Sequence, residues 1–343
     1  MKKIIHIIPF DAPGGVETAA LSMRNSGTPD FTFILKVLFP GPLTPINKTK
    51  SFSPFAYILR SIQVMMQRPD AIIVSLWRAA IIGVICKIFH PRLKLVVFLH
   101  CSQRMHVVDR WVTMLANYLA SEIWCDSEIT LRSTVSDREM PKAYVISFVP
   151  QRQFQPVTNI NPMAKFIYFG RLAKQKNLRR AIRIFAAVRE KISEAKFAII
   201  GPDGGEGALL RQLCVELGVH DCVSFIGPIG HNELPKFARA ASFFLFTSEF
   251  EGFGLALVEA MQMGLVPVTT MVGDAAQACS DNVNAIVIRR DECVADRIAE
   301  IIRYPEIYKC LRSAAIETWS NKNSYRDDVI SGCYRVLKLE NMT

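Results

Sequence analysis

Two carboxylates, Glu251 and Glu259, bracket the segment Glu251-Gly-Phe-Gly-Leu-Ala-Leu-Val-Glu259. Its glycines at 252 and 254 let backbone approach a ligand closely. Upstream, Phe243-Phe-Leu-Phe246 is an apolar run of strand type. Downstream, a helical run reaches Met263, stops at Gly264 and gives way to Val266-Pro-Val-Thr-Thr270. The order is strand, glycine turn, helix, strand. Such a turn brings its ligand to a helix N-terminus, where unpaired N–H groups and the dipole favour an anion. The helix, with Leu255, Leu257, Val258, Ala260 and Met261, is apolar nearly all round and is expected to be buried. Glu259 interrupts it. A buried carboxylate without a partner is costly, and a ligand hydroxyl would supply one.

Other chemistry-bearing residues fall after strand-like runs in the same way. Pro13-Gly-Gly-Val-Glu17 follows the first run, and Gly14 and Gly15 would place backbone amides at a helix start. Ordinary turn chemistry asks for glycines there too. His100 closes the run Leu95–Leu99 and is placed to donate a hydrogen bond to a sugar or phosphate, against the plainer reading of a satisfied turn histidine. His6 and His106 are read as structural. Tyr168-Phe-Gly-Arg-Leu-Ala-Lys-Gln-Lys-Asn177 sets Gly170, Arg171 and Lys176 between a strand and a helix. Arg forks onto phosphate oxygens and Lys adds a compact charge, so the pair suits a diphosphate. Lys174 reads as solvated surface. Asp203, in Gly201-Pro-Asp-Gly-Gly205, is read as a cap for the next helix, and Gly227-Pro-Ile-Gly230 as a frame for a nucleotide base. With Gly252, the glycine turns at 170, 201 and 227 converge on one sheet edge. A nucleoside diphosphate bearing a polyhydroxyl group fits that set: cations and helix ends for phosphates, carboxylates as acceptors for hydroxyls.

The elements that must position these residues alternate along the chain. Strand candidates in the first half are Ile4–Ile8, Phe31–Leu38, Ala71–Ser75, Leu95–Leu99, Ile123–Cys125 and Val145–Phe148. Helical runs cover Val16–Arg24, Phe55–Gln67, Ala79–Phe89 and Val107–Ala120. The segment from Phe148 to Met163, with Pro150, Pro156 and Pro162, reads as a linker. The pattern then restarts. Apolar runs without alternation, separated by helices, indicate buried parallel strands, so the fold class is α/β: two doubly wound, Rossmann-like domains. The expected division is 1–150, 151–322 and a last segment, 323–343.

Bulk properties agree. The 343 residues suit two domains, 50% are hydrophobic and 21% charged, which excludes disorder. The net charge of +10 is uneven. Residues 1–150 hold 17 Lys/Arg against 10 Asp/Glu, a net of +7. That points to an anionic partner. No basic run or RNA-binding motif supports nucleic acid. Nine scattered cysteines without a Cys-x-x-Cys pair give neither a disulfide framework nor a zinc site. No segment offers the roughly 18–20 apolar residues of a membrane span, and the location expected is cytoplasmic, with contact to the inner face of a membrane.

Taken together, Glu251-x7-Glu259, Gly170-Arg171 with Lys176, Gly14-Gly15-Val16-Glu17 and His100 resemble the retaining glycosyltransferases of family 4 (glycosyl transferases group 1), across nearly the whole chain and most strongly over 165–270. The resemblance implies a GT-B fold with a C-terminal helix, from Tyr325 to Leu339, that crosses back to the first domain. It implies transfer of a sugar from a nucleotide-diphosphate donor to an acceptor hydroxyl with retained anomeric configuration and neither metal nor cofactor; the chain has no evident Asp-x-Asp after a strand. The catalytic residues it implies are Glu251, His100, Arg171 and Lys176. Arg171 and Lys176 neutralise the leaving diphosphate, Glu251 holds the sugar hydroxyls, and His100 sits by the transferred sugar. Donor contacts come from Gly14, Gly15, Gly252, Phe253, Gly254, Leu255 and Glu259, with Glu259 on the ribose and the amides of Gly254 and Leu255 on the distal phosphate.

Two departures stand out. Ser147-Phe148-Val149-Pro150 replaces the family's Pro-Asn-Gly-Val turn, and Asn284-Ala285 replaces Asn-Gly. The resemblance implies that the first domain reads the acceptor. Its charge and the regions Ser51–Phe55, Trp77 and Trp111 suggest docking at an anionic leaflet and a saccharide or lipid-linked acceptor, as in bacterial O-antigen, lipopolysaccharide or capsule assembly. Two alternatives stay open: an inactive nucleotide-sugar-binding subunit of a biosynthetic complex, and a GT-B-like nucleotide-sugar epimerase.

Overall fold

The computed structural model describes residues 1–10, 15–24, 26–39, 53–100, 107–149 and 161–339. The chain divides into two units, Met1–Gln151 with Asn323–Thr343, and Arg152–Lys322.

In the first unit, the apolar runs that lack alternation become strands covered on both faces. The elements are β1 (Lys2–Phe10), α1 (Gly15–Ser22), β2 (Phe31–Phe39), α2 (Pro54–Met65), β3 (Ala71–Ser75), α3 (Trp77–Phe89), β4 (Lys94–Leu99), α4 (Val107–Leu119), β5 (Glu122–Cys125), α5 (Glu128–Thr134) and β6 (Ala143–Val145). The sheet order is β2-β1-β3-β4-β5-β6, with every pair parallel. Every residue of β3 is buried, as a strand sandwiched between helix layers must be. Short α5 escaped the sequence reading. Its signal was Ser127, which caps it by accepting from Thr130 N at 3.1 Å.

The sixth strand differs from the expected Val145–Phe148. The strand register with β5 ends at Val145, and after Ile146 N, which still donates to Cys125 O at 2.8 Å, the backbone bonds elsewhere. Ser147 N donates to Asp328 at 2.8 Å, and Val149 O accepts from Tyr325 N at 2.7 Å. Those partners belong to the last helix, Tyr325–Leu337, which packs on this sheet. A Cβ at Gly332 would lie 2.6 Å from the Trp124 ring, so only glycine permits the approach. Arg335 grips Glu122 with two donors at 2.9 and 3.1 Å, and Glu122 also accepts from Trp124 Nε1 at 2.9 Å. The final segment thus crosses back to the first unit. Trp77, one of the regions read as docking at a leaflet, is half-buried, with the Arg78 guanidinium 4.4 Å from its ring. Ser51, Phe52 and His106 lie outside the described residues, as does most of the expected linker.

The second unit holds β7 (Lys165–Phe169), α6 (Leu178–Lys191), β8 (Lys196–Ile200), α7 (Gly207–Glu216), β9 (Val223–Gly227), α8 (Leu234–Arg239), β10 (Phe243–Phe246), α9 (Leu255–Gln262), β11 (Val266–Thr269), β12 (Ile286–Val287), α10 (Asp291–Arg303) and α11 (Pro305–Ser320); we call the last helix of the chain α12. The parallel sheet has the order β12-β11-β10-β7-β8-β9. Phe166, Phe185, Phe197 and Phe243 fill its core on one face. The chain advances one way from β7 to β9 and then returns to β10 on the other side of β7. The order therefore reverses between β7 and β10. Ligands of such sheets bind outside the carboxyl ends of the strands at this point. Among the described residues the cysteines are free thiols, and no helix is long and apolar enough to cross a membrane.

Candidate functional site

The reversal point puts the loop after β7 beside the loop after β10, and hydrogen bonds lock the two together. Thr247 Oγ1 donates to Asn177 O at 3.0 Å, Glu249 N to Gln175 O at 2.9 Å, and Asn177 Nδ2 to Glu249 Oε1 at 2.9 Å. Asn177 takes a left-handed conformation (φ 46°), which ends the short turn Lys174–Lys176 and starts α6. Lys176 is thereby aimed at the β10 loop, and its Nζ donates to Glu251 Oε1. Ser248 Oγ donates to the same oxygen at 2.8 Å, while Thr270 Oγ1 holds Ser248 O at 2.8 Å. The Glu251 side chain is only 10% exposed. Its other oxygen, Oε2, takes no hydrogen bond from a described residue and keeps acceptor capacity for a ligand hydroxyl.

The turn at 252–254 is clamped from below. Asp274 N donates to Gly252 O at 3.0 Å and Ala275 N to Phe253 O at 2.8 Å. Gly273, with φ 78°, passes so close that a Cβ would sit 2.8 Å from that of Glu251. Gly254, with φ 92°, then starts α9 with no side-chain cap. The first N–H groups of α9 are left for an anion. Leu257, Val258, Ala260 and Met261 are buried, as the sequence required. Glu259, one helical turn inside, has a side chain 19% exposed, and burial pushes its carboxyl up to about 7. Its nearest cation-forming group is His231 Nε2 at 3.8 Å, in the turn after β9. Burial lowers the His231 pKa, so both groups favour their neutral forms.

The other glycine turns line the same edge. Gly170 N donates to Ile200 O, Leu172 N to Pro202 O and Gly201 N to Gly227 O, each at 2.9 Å. Backbone runs so close here that a Cβ on Gly201 would lie 1.9 Å from Gly170 O. Asp203 has the capping role read from the sequence: its Oδ1 accepts from the amides of Gly205, Glu206 and Gly207 at 2.8–3.1 Å. Those bonds, Gly207's first, hold its pKa below the usual carboxylate range. Arg171 is exposed, and its carbonyl accepts from Tyr168 OH at 3.0 Å. Its guanidinium makes no ion pair with a described residue. Beside Glu249 and Ser248 lies a hollow of about 600 Å³, lined also by Thr270, Arg180 and Arg289.

In the first unit, Gly14 lies outside the described residues, and Gly15 is the exposed first residue of α1. His100 stands at the end of β4 as expected, but its side chain turns inward and is 2% exposed. It packs 4.2 Å from the Phe98 ring and 5.3 Å from Phe148. Its Nε2 meets Ser75 Oγ at 2.9 Å, and its Nδ1 lies 3.8 Å from Asp126 Oδ2. His6, read as structural, shares Ser75 Oγ at 2.9 Å. Burial lowers both imidazoles to about 3, with each depressed mainly by desolvation. A hydroxyl has one proton, so it donates to one ring and accepts from the other. The proton on His100 belongs at Nδ1, facing the Asp126 carboxylate. Its Nε2 then accepts from Ser75, and His6 Nε2–H donates to Ser75.

The structure therefore brings together Lys176, Glu251, the turn 252–255, Arg171 and Glu259 on one unit. Sequence reasoning missed Ser248, Thr270, Gly273, Asp274 and His231. Gly273 was findable: it is one more glycine turn after a strand. The two hydroxyls carry no such mark, because Ser and Thr are ordinary turn residues.

Residues 151–318 match the family described as Glycosyl transferases group 1. The chain is 28% identical over 140 residues to the GDP-mannose:cellobiosyl-diphosphopolyprenol α-mannosyltransferase of Xanthomonas oryzae, covering 40% of this chain and 37% of that protein. It is 31% identical over 130 residues to the D-inositol 3-phosphate glycosyltransferase of Frankia alni, covering 36% and 32%. The chain thus spans about a third of the length of these relatives. Among solved structures, the Anabaena HepE protein in complex with UDP and glucose superposes with a TM-score of 0.80 at 18% identity, over 99% of this chain and 100% of that one. Sucrose-phosphate synthase from Thermosynechococcus elongatus gives 0.76 at 18% identity, over 98% and 99%. The fold is the GT-B fold of such glycosyltransferase structures.

Proposed function

We propose that this protein is a glycosyltransferase that moves a sugar from a nucleotide-diphosphate donor to an acceptor hydroxyl, retaining the anomeric configuration and needing no metal. The observation that carries the reading is the Lys176–Glu251 pair at the strand-order reversal of the second unit, one turn from the uncapped start of α9. Each part has a role. The N–H groups at Gly254 and Leu255 and the cations Arg171 and Lys176 bind the diphosphate. As the glycosidic bond breaks, negative charge grows on that leaving group, and fixed cations stabilise the change. They supply the charge that a metal ion supplies in other transferases. Glu251 Oε2 orients the donor sugar through its hydroxyls, and Glu259 accepts from the ribose. The rigid loop hydrogen bonds hold this geometry before the donor arrives.

The acceptor in this proposal is lipid-linked, in bacterial surface polysaccharide synthesis. Two things support that: the diphosphopolyprenol acceptor named for the Xanthomonas relative and the +7 charge of residues 1–150. The donor reading is tested by a thermal-shift screen of nucleoside diphosphates and nucleotide sugars, since a ligand that binds only the native state raises apparent stability. At least one nucleoside diphosphate should raise the midpoint, and its nucleoside alone should not. No shift with any base would overturn the donor site.

A further inference from the structure

The helix layer on one face of the first unit is apolar on its outer side as well as its inner side. Helices α2, α3 and α4 join β2 to β3, β3 to β4 and β4 to β5, all advancing in the same direction across the sheet. Right-handed crossovers therefore stack them on one face, and α3 packs against both α2 and α4. Helix α2 buries Tyr57, Ser61 and Val64. Its opposite stripe should be polar in a helix facing water. Instead it is Phe55 (83% exposed), Ile58, Leu59 and Ile62, at helical spacing. Helix α4 repeats the pattern. It buries Thr113, Ala116 and Asn117 and exposes Trp111 (65%), Met114, Leu115 and Tyr118 (75%). Two such stripes on one side exceed the scattered apolar residues of an ordinary surface.

The charges around these stripes identify what covers them. Residues 53–119 contain eight Lys/Arg and two Asp/Glu. Asp70 is paired with Lys2, and Asp109, in the first turn of α4, is outnumbered by the surrounding cations. Arg68 follows α2, Arg92 follows α3 and Arg110 lies in α4, and all three are exposed. An apolar stripe with an aromatic belt and flanking cations fits the acyl–headgroup boundary of an anionic bilayer. A protein groove would supply acidic side chains but would gain little from cations spread at the ends of separate helices.

We propose that the outer faces of α2 and α4 seat this domain on an anionic lipid surface, with Phe55, Ile62, Trp111 and Tyr118 inserted at headgroup depth. The inference rests on the lipid-linked-acceptor reading and gives that reading a docking surface. Trp111 is the natural reporter, because Trp124 and Trp319 are buried and Trp77 is half-buried.

The test uses the full chain, without donor or acceptor, mixed with phosphatidylcholine vesicles that contain or lack phosphatidylglycerol. The protein should co-sediment with the phosphatidylglycerol vesicles and shift its tryptophan emission to the blue. Ile62→Glu and Trp111→Glu should each weaken partitioning by about tenfold. Both sites face solvent, so the variants should keep the wild-type thermal midpoint. Raised salt should weaken binding without abolishing it. Equal partitioning of wild type and both variants would overturn the proposal, as would a wild type that stays in the supernatant. A concentration-dependent dimer that Ile62→Glu dissolves, with no lipid binding, would assign the face to a second copy instead. Nucleotide binding is read separately by thermal shift, so failure here leaves the donor reading standing, and the reverse.

Discussion

Lys176 Nζ donates a hydrogen bond to Glu251 Oε1, so a cation suited to phosphate and a carboxylate suited to hydroxyls are held as one unit. The two come from loops after β7 and β10, whose adjacency follows from the reversal of strand order between them. The pair keeps Glu251 in place with one oxygen open.

Coupling follows from this pairing. Lys176→Ala and Glu251→Ala should each lower kcat/KM by about 10²–10³-fold, in line with the loss of one preorganised charge contact. The double variant should lose far less than the product of the two, because either single change already disables the unit. Steady-state kinetics on the three variants, with circular dichroism to confirm folding, checks this. Strict multiplicativity would separate the two residues.

Glu259 gives the proposed donor site a pH dependence. With its carboxyl at about 7, it is charged above neutrality and protonated below. If it accepts from the ribose, nucleoside diphosphate affinity measured by calorimetry should weaken as pH falls from 8 to 6, and Glu259→Gln should remove most of that slope. The group's effect on folding has the opposite sign. A carboxyl raised in the native state contributes stability that is complete below its unfolded value of 4.5 and is lost as pH rises through about 7.

The buried imidazoles of His6 and His100 act on acid stability. Their native values of about 3 lie below the ordinary 6.5, so the unfolded chain binds protons that the native state refuses. Their contribution is full above 6.5 and is lost as pH falls toward 3, by up to about 1.4 kcal/mol per pH unit for each ring. Between 4.5 and 6.5 the carboxyls of Glu259 and Asp274, raised by burial to about 7 and about 6, oppose the two histidines. The histidine part is isolated by comparison: over that range acid should lower the urea midpoint of His6→Asn, which cannot take up a proton, less than that of the wild type.

Gly201 is the steric keystone of the glycine turns. Gly201→Ala places a methyl group 1.9 Å from Gly170 O, against backbone that cannot yield, and should cost about 3 kcal/mol or more. Gly205→Ala, with φ 104° but nothing within 4 Å, should cost only the conformational strain of about 1–2 kcal/mol. Chemical denaturation of the two variants measures the difference.

Much of this architecture was readable because its signals are local. Non-alternating apolar runs of four or five residues between helical runs, such as Ala71–Ser75 and Phe243–Phe246, point to buried parallel strands. A glycine after such a run, as at 170, 201 and 227, marks the carboxyl edge. What could not be read depends on contacts distant in sequence. The β6 segment was placed too far along because Ser147 and Val149 bond to α12, some 180 residues away. The inward turn of His100 is set by Phe98, Phe148 and Ser75 together. The salt link from Lys176 to Glu251 required the strand order, which no single segment encodes.

The most direct measurement of the central claim is release of nucleoside diphosphate from a panel of labelled nucleotide sugars by the purified protein, with the labelled sugar followed to product. One donor should be turned over, with the sugar appearing on a lipid-linked or surrogate hydroxyl acceptor or, slowly, on water. Turnover should survive EDTA and fall to background in Lys176→Ala and Glu251→Ala. A protein that binds a nucleotide sugar yet releases no diphosphate, or returns only epimerised donor, would contradict the account.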